Sequence, residues 1–358
     1  MTYAFAAAGT GGHVYPAIAV ADALVSRGVD REAIVFFGGD RMEATTVPAA
    51  GYRFEGIEIR GLKRSLSVDN LRLPGLLRRA TAAVESVLRT SGTKVMTAFG
   101  GYVSVPAAWA AHRVGATLFV HEQNAVPGLA NRLIARRAAT SFVAFPAAAR
   151  RLPRSQVVGN PIRGVLRSFD RDALRHDARK RYDLPDDSVV LGVLGGSLGA
   201  RVLNDVTRRI ADGVDPERVA IVHLTGADHH AEVTAEAVMS AIPWRTVAFE
   251  REMEFFYAAV DLVLGRAGAL TISEIAATAT PAVVVPLAAV AQEGNAEHLV
   301  SVGAAVAIPE TEIDRVPVEI EQLLADADRR HRMGRAAAAV ARPAAADDVA
   351  AALLEAAA

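Results

Sequence analysis

Two short glycine-rich turns constrain this chain more than any other feature. Ala8-Gly9-Thr10-Gly11-Gly12-His13 follows an apolar run, Tyr3 to Ala8. It opens a segment in which Val14, Ala17, Ile18, Ala21, Leu24 and Val25 recur at the spacing of one helical face. Gly195-Gly196-Ser197-Leu198-Gly199 repeats the arrangement after Val189 to Leu194. A strand, a glycine turn and a helix in that order begin a β-α-β unit, whose strands run parallel. Apolar runs alternate with helical segments after each turn. They are Ala33 to Gly38, Lys94 to Ala98, Thr117 to Val120 and Thr140 to Val143 in the first half. In the second they are Val219 to Leu224, Thr246 to Phe249, Leu262 to Leu264, Ala282 to Val285 and Ala304 to Ile308. The expected fold class is α/β, with two Rossmann-like doubly wound domains.

A chain of 358 residues is comfortable for two cores. A short strand within Gln156 to Ile162 precedes Gly159-Asn160-Pro161, punctuation suited to a domain exit. The first domain is therefore expected over 1–163 and the second over 164–341, with 342–358 completing the first. Arg167 to Asp187 reads as a polar helix and linker without a core face. Ala337 to Ala358 reads as helical, broken in two by Pro343. A hydrophobic content of 51% with 22% charged residues fits a well-packed soluble protein, and no apolar run reaches the roughly 20 residues that span a bilayer. The first strand begins without a signal-peptide pattern and there are no cysteines, which favours the cytoplasm. A net charge of -1 argues against a general nucleic-acid binder.

In an open parallel sheet, ligands sit beyond the carboxyl ends of the strands, where helix amino termini favour anions. Gly100-Gly101 marks a third such strand end. Tight turning alone explains any one glycine turn equally well; three at equivalent strand ends favour a ligand. A dinucleotide fingerprint is incomplete, since Val14 stands at its third glycine position and Asp40 is poorly supported as the ribose acid. No glycine turn continues into the Gly-Lys-Ser/Thr of a P-loop. Asp170-Arg-Asp172 and Asp326-Ala-Asp328 have the spacing of metal-binding pairs but lie in polar helical segments, and adjacent His229 and His230 point in different directions. The sequence requires no metal and no cofactor.

Ordered blocks carry a more specific likeness. They are Gly9 to His13, Phe99-Gly-Gly-Tyr-Val-Ser104, His121-Glu-Gln-Asn124 with Asn131, Gly159-Asn-Pro-Ile-Arg163, Gly195 to Arg201, and Arg266-Ala-Gly-Ala-Leu-Thr-Ile-Ser-Glu274. Through them the chain, almost end to end, resembles the MurG-type inverting N-acetylglucosaminyltransferases of glycosyltransferase family 28. The resemblance implies the GT-B architecture, two Rossmann-like domains facing across a cleft. The first would take undecaprenyl-linked lipid I and the second UDP-N-acetylglucosamine. The implied reaction moves N-acetylglucosamine to the 4-hydroxyl of lipid I, making lipid II for peptidoglycan.

By that resemblance His13 is the general base, a task its ordinary pKa suits; the alternative is a residue that only orients its loop. Thr10, Gly11, Gly12, Gly100 and Gly101 would hold the acceptor's diphosphate. Tyr102, Glu122, Asn124 and Asn131 would face the acceptor, with helix capping the plainer reading of Asn124. For the donor, the turn Gly196, Ser197, Leu198, Gly199 and Ala200 would hold the diphosphate, Arg163 would add a cation, and Asn124 would reach the donor as well. Glu274 would accept the ribose hydroxyls beside Ala269, Leu270 and Thr271, while Arg266 is open between donor contact and structure. Gln292 and Asn295 would contact the sugar. The chain departs from the family in its short apolar loop, Pro286 to Gln292, in Leu198 where glutamine is usual, and in Ala8 where glycine is. The altered loop leaves room for a paralogue with another acceptor; a UDP-sugar 2-epimerase of the same architecture and a sensor that binds donor without turnover are the alternatives from other classes.

Arg60, Lys63, Arg64, Arg72, Arg78 and Arg79 oppose a single acid, Asp69, and interleave with Leu62, Leu66, Leu71, Leu73, Leu76 and Leu77. Such a patch suits docking on an anionic membrane surface, here the cytoplasmic face of the cell membrane. A solvated helix face with leucines in the core is the alternative.

Overall fold

The computed structural model describes residues 2–59, 73–196 and 199–358. The chain forms two compact units, Met1–Gly164 with Pro343–Ala358, and Val165–Arg342. Among the described residues the first holds a seven-stranded sheet: β1 (Thr2–Ala6), β2 (Ile34–Gly38), β3 (Arg53–Gly56), β4 (Thr93–Ala98), β5 (Thr117–Glu122), β6 (Thr140–Val143) and β7 (Ser155–Val157). The second holds a six-stranded sheet: β8 (Val189–Leu194), β9 (Val219–Leu224), β10 (Trp244–Val247), β11 (Leu262–Gly265), β12 (Ala282–Val284) and β13 (Ala305–Ala307). The spatial orders are β3-β2-β1-β4-β5-β6-β7 and β10-β9-β8-β11-β12-β13, with every pairing parallel. Strand order therefore reverses between β1 and β4, and again between β8 and β11. These are the points where the loops of a doubly wound sheet part to admit a ligand.

Strand β1 shows why these runs are continuously apolar. Tyr3, Phe5 and Ala7 join one core with Phe36, Phe99, the helix Gly11–Ser26 and the last helix, Ala345–Ala357. Phe5 stacks on Phe36 at 5.1 Å between ring centroids. Ala4, Ala6 and Ala8 face the other side, where Ala107, Ala108, Ala110 and Ala111 line the helix Ser104–Val114. Both faces are covered, so neither tolerates polar side chains, and the alternation is between large and small instead.

Several elements differ from expectation. β1 ends at Ala6, so Ala7 and Ala8 already belong to the turn, and β10 starts two residues before Thr246. β3 was not anticipated: Arg53-Phe-Glu-Gly lies at the sheet edge, where half-exposed polar residues are tolerated. The alanine-rich terminus forms two helices, Ala327–Ala339 and Ala345–Ala357, with Pro343 in the gap. Arg167 to Asp187 is the main correction. Its helix, Arg171–Arg181, does have an inner face, built from Arg171, Arg175, Ala178 and Arg179. The guanidinium groups bond to carbonyls and to Asp261, so charged residues occupy positions that apolar periodicity leaves blank. Among the described residues no helix is long and apolar enough to cross a membrane.

Candidate active site

His13 lies in the first turn of the helix Gly11–Ser26, where Thr10 at the cap position makes no side-chain capping bond. The imidazole Nδ1 stands 3.0 Å from the carbonyl oxygen of Ala8 and 3.4 Å from Thr10 Oγ1. A carbonyl only accepts, so the Nδ1–H donates to it and Nε2 carries the lone pair. Burial lowers the His13 pKa from its ordinary 6.5; Glu122, the Ala8 bond and Glu43 oppose that shift without reversing it. The group is thus a neutral imidazole at pH 7, with its basic nitrogen set by the fold. Its Nε2 and Cδ2 lie against the loop after β4, 2.9 Å from where a Cβ on Gly100 would stand. The next residue, Gly101, has φ +82°, and a Cβ there would sit 2.4 Å from the Ala8 oxygen that holds His13. The two glycine turns at the first switch point are in contact, and the second leaves room for the bond that orients the imidazole.

The polar cluster after β5 is tied into its own loop. Glu122 is buried, and its Oε1 accepts from the Asn124 N–H at 2.9 Å and the Asn124 side-chain amide at 3.4 Å. Its Oε2 accepts from the Gly128 N–H at 3.0 Å and from Asn131 Nδ2 at 2.9 Å. Asn131, also buried, donates to the His121 carbonyl at 3.2 Å as well. Glu122 and Asn131 therefore shape the loop that was expected to face the acceptor, while half-buried Asn124 stays at its rim. His121 is fully buried, stacks on Phe99, and donates from Nε2 to the Gly159 carbonyl at 3.0 Å. Burial lowers its pKa to about 4, so it remains neutral. Tyr102 is half-buried, its hydroxyl bonded to Glu43. Arg163 belongs to the first unit, its guanidinium 4.8 Å above the ring of Tyr15 on the helix that bears His13.

In the second unit, Gly195 to Ala200 leads into the helix Arg201–Gly213, whose cap residue Ala200 offers no side-chain acceptor. Gly199 has φ +74°, and a Cβ on it would lie 2.2 Å from the Thr225 carbonyl, so this turn too is pressed against its neighbour. Ser197 and Leu198 lie outside the described residues. Glu274 is buried on the helix Ala269–Ala277 and accepts from the Tyr257 hydroxyl at 3.1 Å. Ala269, Leu270 and Thr271 make up the first turn of that helix, capped by Gly268.

Other residues expected at the donor also bond within their own unit. Arg266 donates to the Val285 carbonyl at 3.2 Å and pairs with Glu310 at 2.6 Å. Gln292 closes the short apolar loop, its Oε1 accepting from the Leu287 N–H at 3.0 Å, and buried Asn295 donates to the Ala267 carbonyl at 3.1 Å. Asp170 and Asp326 are helix caps, accepting from the N–H groups of Ala173 and Arg329. Among the described residues no three His, Cys, Asp or Glu side chains cluster at metal-binding distance.

Residues 3–143 match the model of the glycosyltransferase family 28 N-terminal domain and residues 190–349 that of its C-terminal domain. The chain belongs to glycosyltransferase family 28. It is therefore a hexosyltransferase with the GT-B fold. A Salinibacter ruber relative named UDP-N-acetylglucosamine--N-acetylmuramyl-(pentapeptide) pyrophosphoryl-undecaprenol N-acetylglucosamine transferase is 42% identical, over 96% of this chain and 93% of its own length. One of the same name from Acidithiobacillus ferrooxidans is 39% identical over 98% and 96%. The crystal structure of Acinetobacter baumannii MurG is similar at a TM-score of 0.78 and 27% identity, covering 99% of this chain and all of that one. A UDP-GlcNAc 2-epimerase from Neisseria meningitidis has a TM-score of 0.70, covering 99% of this chain and 100% of its own, but is 11% identical, a likeness of fold alone.

Within this family 28 enzyme, one buried group escaped the sequence reading. Glu43 follows β2, is wholly buried, and accepts from the N–H groups of Gly9 and Gly39 at 3.1 and 3.0 Å. A lone glutamate in a polar stretch has no spacing signature. The glycines around it, Gly38 and Gly39, were the only available signal, since a Cβ on Gly38 would lie 2.7 Å from Glu43 Cγ.

Proposed function

We propose that this enzyme transfers N-acetylglucosamine from UDP-N-acetylglucosamine to the 4-hydroxyl of lipid I, with inversion, at the cytoplasmic face of the cell membrane. The observation that carries this reading is the 42% identity, over 96% of the chain, to a transferase bearing that name. His13 Nε2 takes the hydroxyl proton as the acceptor oxygen attacks the anomeric carbon. The bond from that carbon to the diphosphate breaks, and its electron pair leaves with UDP, which gains a negative charge. Backbone N–H groups of Gly196, Gly199 and Ala200 and of the helix Arg201–Gly213 oppose that charge, with Arg163 as a cation. Thr10, Gly11, Gly12, Gly100 and Gly101 hold the acceptor's diphosphate, and Tyr102 and Asn124 flank it. Incubation with labelled UDP-sugars, with and without a lipid I analogue, tests the reading. Acceptor-dependent UDP release with UDP-N-acetylglucosamine is expected; epimer formed without acceptor would overturn it.

Glu274 holds the ribose hydroxyls of UDP in this reading. Its replacement by alanine is expected to weaken UDP binding by roughly tenfold to a hundredfold, the scale of hydrogen bonds to a charged group. Titration calorimetry with UDP checks this, and an unchanged Kd removes Glu274 from the nucleotide site.

Membrane docking is proposed through Arg78 and Arg79, both exposed on the helix Leu73–Thr90. The rest of the basic segment, residues 60–72, lies outside the described residues. The helix Leu129–Ile134 adds support, leaving Leu129 73% and Leu133 53% exposed beside exposed Arg132. At about 1 kcal/mol per basic residue near an anionic surface, alanine at both arginines weakens vesicle binding by on the order of thirtyfold. Co-sedimentation with phosphatidylglycerol vesicles reads this, and binding indifferent to lipid charge would count against it.

A further inference from the structure

The peptide group joining Ala8 to Gly9 is held at both ends. Its carbonyl accepts from His13 Nδ1–H at 3.0 Å, and its N–H donates to Glu43 Oε2 at 3.1 Å. The second carboxylate oxygen accepts from the Gly39 N–H at 3.0 Å, and the Tyr102 hydroxyl also bonds to Glu43. A single buried carboxylate therefore joins the loops that follow β1, β2 and β4. Side chains are excluded around it: a Cβ on Gly39 would stand 1.7 Å from the Tyr102 hydroxyl oxygen.

A carboxylate at the N–H end of an amide polarises the carbonyl at the other end, strengthening the bond that carbonyl accepts, by roughly 10–30% in condensed-phase estimates. In a Ser-His-Asp triad the acid touches the imidazole directly and holds its tautomer. Here one peptide unit stands between them. We propose that Glu43 is a positioning residue for His13, acting through the Ala8–Gly9 peptide to fix the ring's orientation and tautomer and to stabilise the imidazolium that forms during transfer. The inference rests on the reading of His13 as the base. No proton passes along the chain of bonds: the acceptor proton goes to Nε2, and Nδ1 keeps its own. Glu122 also faces His13 and exerts the larger electrostatic pull on it, while Asp40 and Arg41 act on Tyr102. All three are unchanged by substitution at position 43.

The test uses the full chain with Glu43→Gln, which keeps the shape but sets an NH2 group against either Gly9 or Gly39. Three quantities are read: kcat and KM for UDP-N-acetylglucosamine, the pH profile of kcat/KM, and the titration of His13 by nitrogen-15 NMR. The expected result is a kcat lower by on the order of 10–100-fold, the range for losing an outer partner of a functional histidine. KM for the donor stays constant. Loss of the negative charge also makes His13 titrate at lower pH, and the acid limb of the profile moves with it. Glu43→Asp, which keeps the charge, recovers part of the rate. A folded Glu43→Gln whose His13 titrates as in the parent overturns the proposal, because a mere staple between loops would change stability and leave that titration alone. Should Glu43→Gln not fold, the same titration on Glu43→Asp, its carboxylate drawn back from the Gly9 N–H, decides by the same criterion. His13→Ala separates the two readings: retained turnover there removes the base assignment, whereas the titration of His13 reports on Glu43 in either case.

Discussion

Alanine at His13 is expected to lower kcat for acceptor-dependent transfer by about 10²–10⁴-fold, the usual contribution of a positioned general base. Affinity for UDP stays at the parental value. The separation follows from where the groups sit. His13 belongs to the first unit, whereas Glu274 and the glycine turn proposed to hold UDP belong to the second. The pH profile follows from the direction of the His13 shift. With His13 as the proposed base, transfer needs the neutral ring, and burial holds the pKa below 6.5, so kcat/KM is expected on its plateau at neutral pH. It falls tenfold per unit only as the pH drops through the lowered pKa. The alanine variant loses that acid limb along with the rate. UDP release with a lipid I analogue measures both, and a variant that keeps turnover would remove His13 from the mechanism.

What could be read beforehand followed from how strongly each position is constrained. Tyr3 to Ala6 was legible as a strand because both of its faces are covered, leaving no polar option. β3 was not, because one side of an edge strand meets water and Arg53 and Glu55 can pair there with each other. The site divides the same way. Gly100 and Gly101 announce themselves, since a side chain at either would strike His13 or the carbonyl that holds it. Glu122 and Asn131 were visible as polar residues after a buried strand. Whether such groups face a ligand or tie down their own loop depends on the path of residues 124–131, which periodicity does not encode. Arg266, Gln292 and Asn295 show the same dependence: each also bonds to backbone, that of Val285, Leu287 and Ala267, which their spacing does not encode. Glu43 was invisible because its distant partner, Gly9, is brought to it by the pairing of β1 and β2, and its local one, Gly39, has no spacing signature.

Replacing Arg171 with alanine is expected to be the most damaging of the stability changes, although the residue lies in a stretch that reads as a polar linker. Its Nη1 donates to the carbonyls of Tyr257 and Val260, and its Nη2 to the Thr278 carbonyl at 3.0 Å and Thr280 Oγ1 at 2.7 Å. Val260 and Thr278 are the C-cap residues of the helices Met253–Ala259 and Ala269–Ala277, so one guanidinium closes two helix ends and meets the negative pole of each. Alanine would strand these acceptors in the interior of the second unit. At about 1 kcal/mol each, the lower end of the usual cost, three carbonyls amount to about 3 kcal/mol. For a unit of this size that lowers Tm by roughly 6–12 °C. Lysine would restore only part of the loss, since an ammonium lacks the planar fork that reaches both helices at once. The effect also reaches the proposed nucleotide site, because Tyr257 and Glu274 bond to each other from these same two helices. Loosening their ends should weaken UDP binding in Arg171→Ala, and less so in Arg171→Lys. Calorimetric unfolding with and without UDP measures both effects. An unchanged Tm would mean that water replaces the guanidinium at these carbonyls, and that the arginine-lined face of the helix Arg171–Arg181 is not a core face.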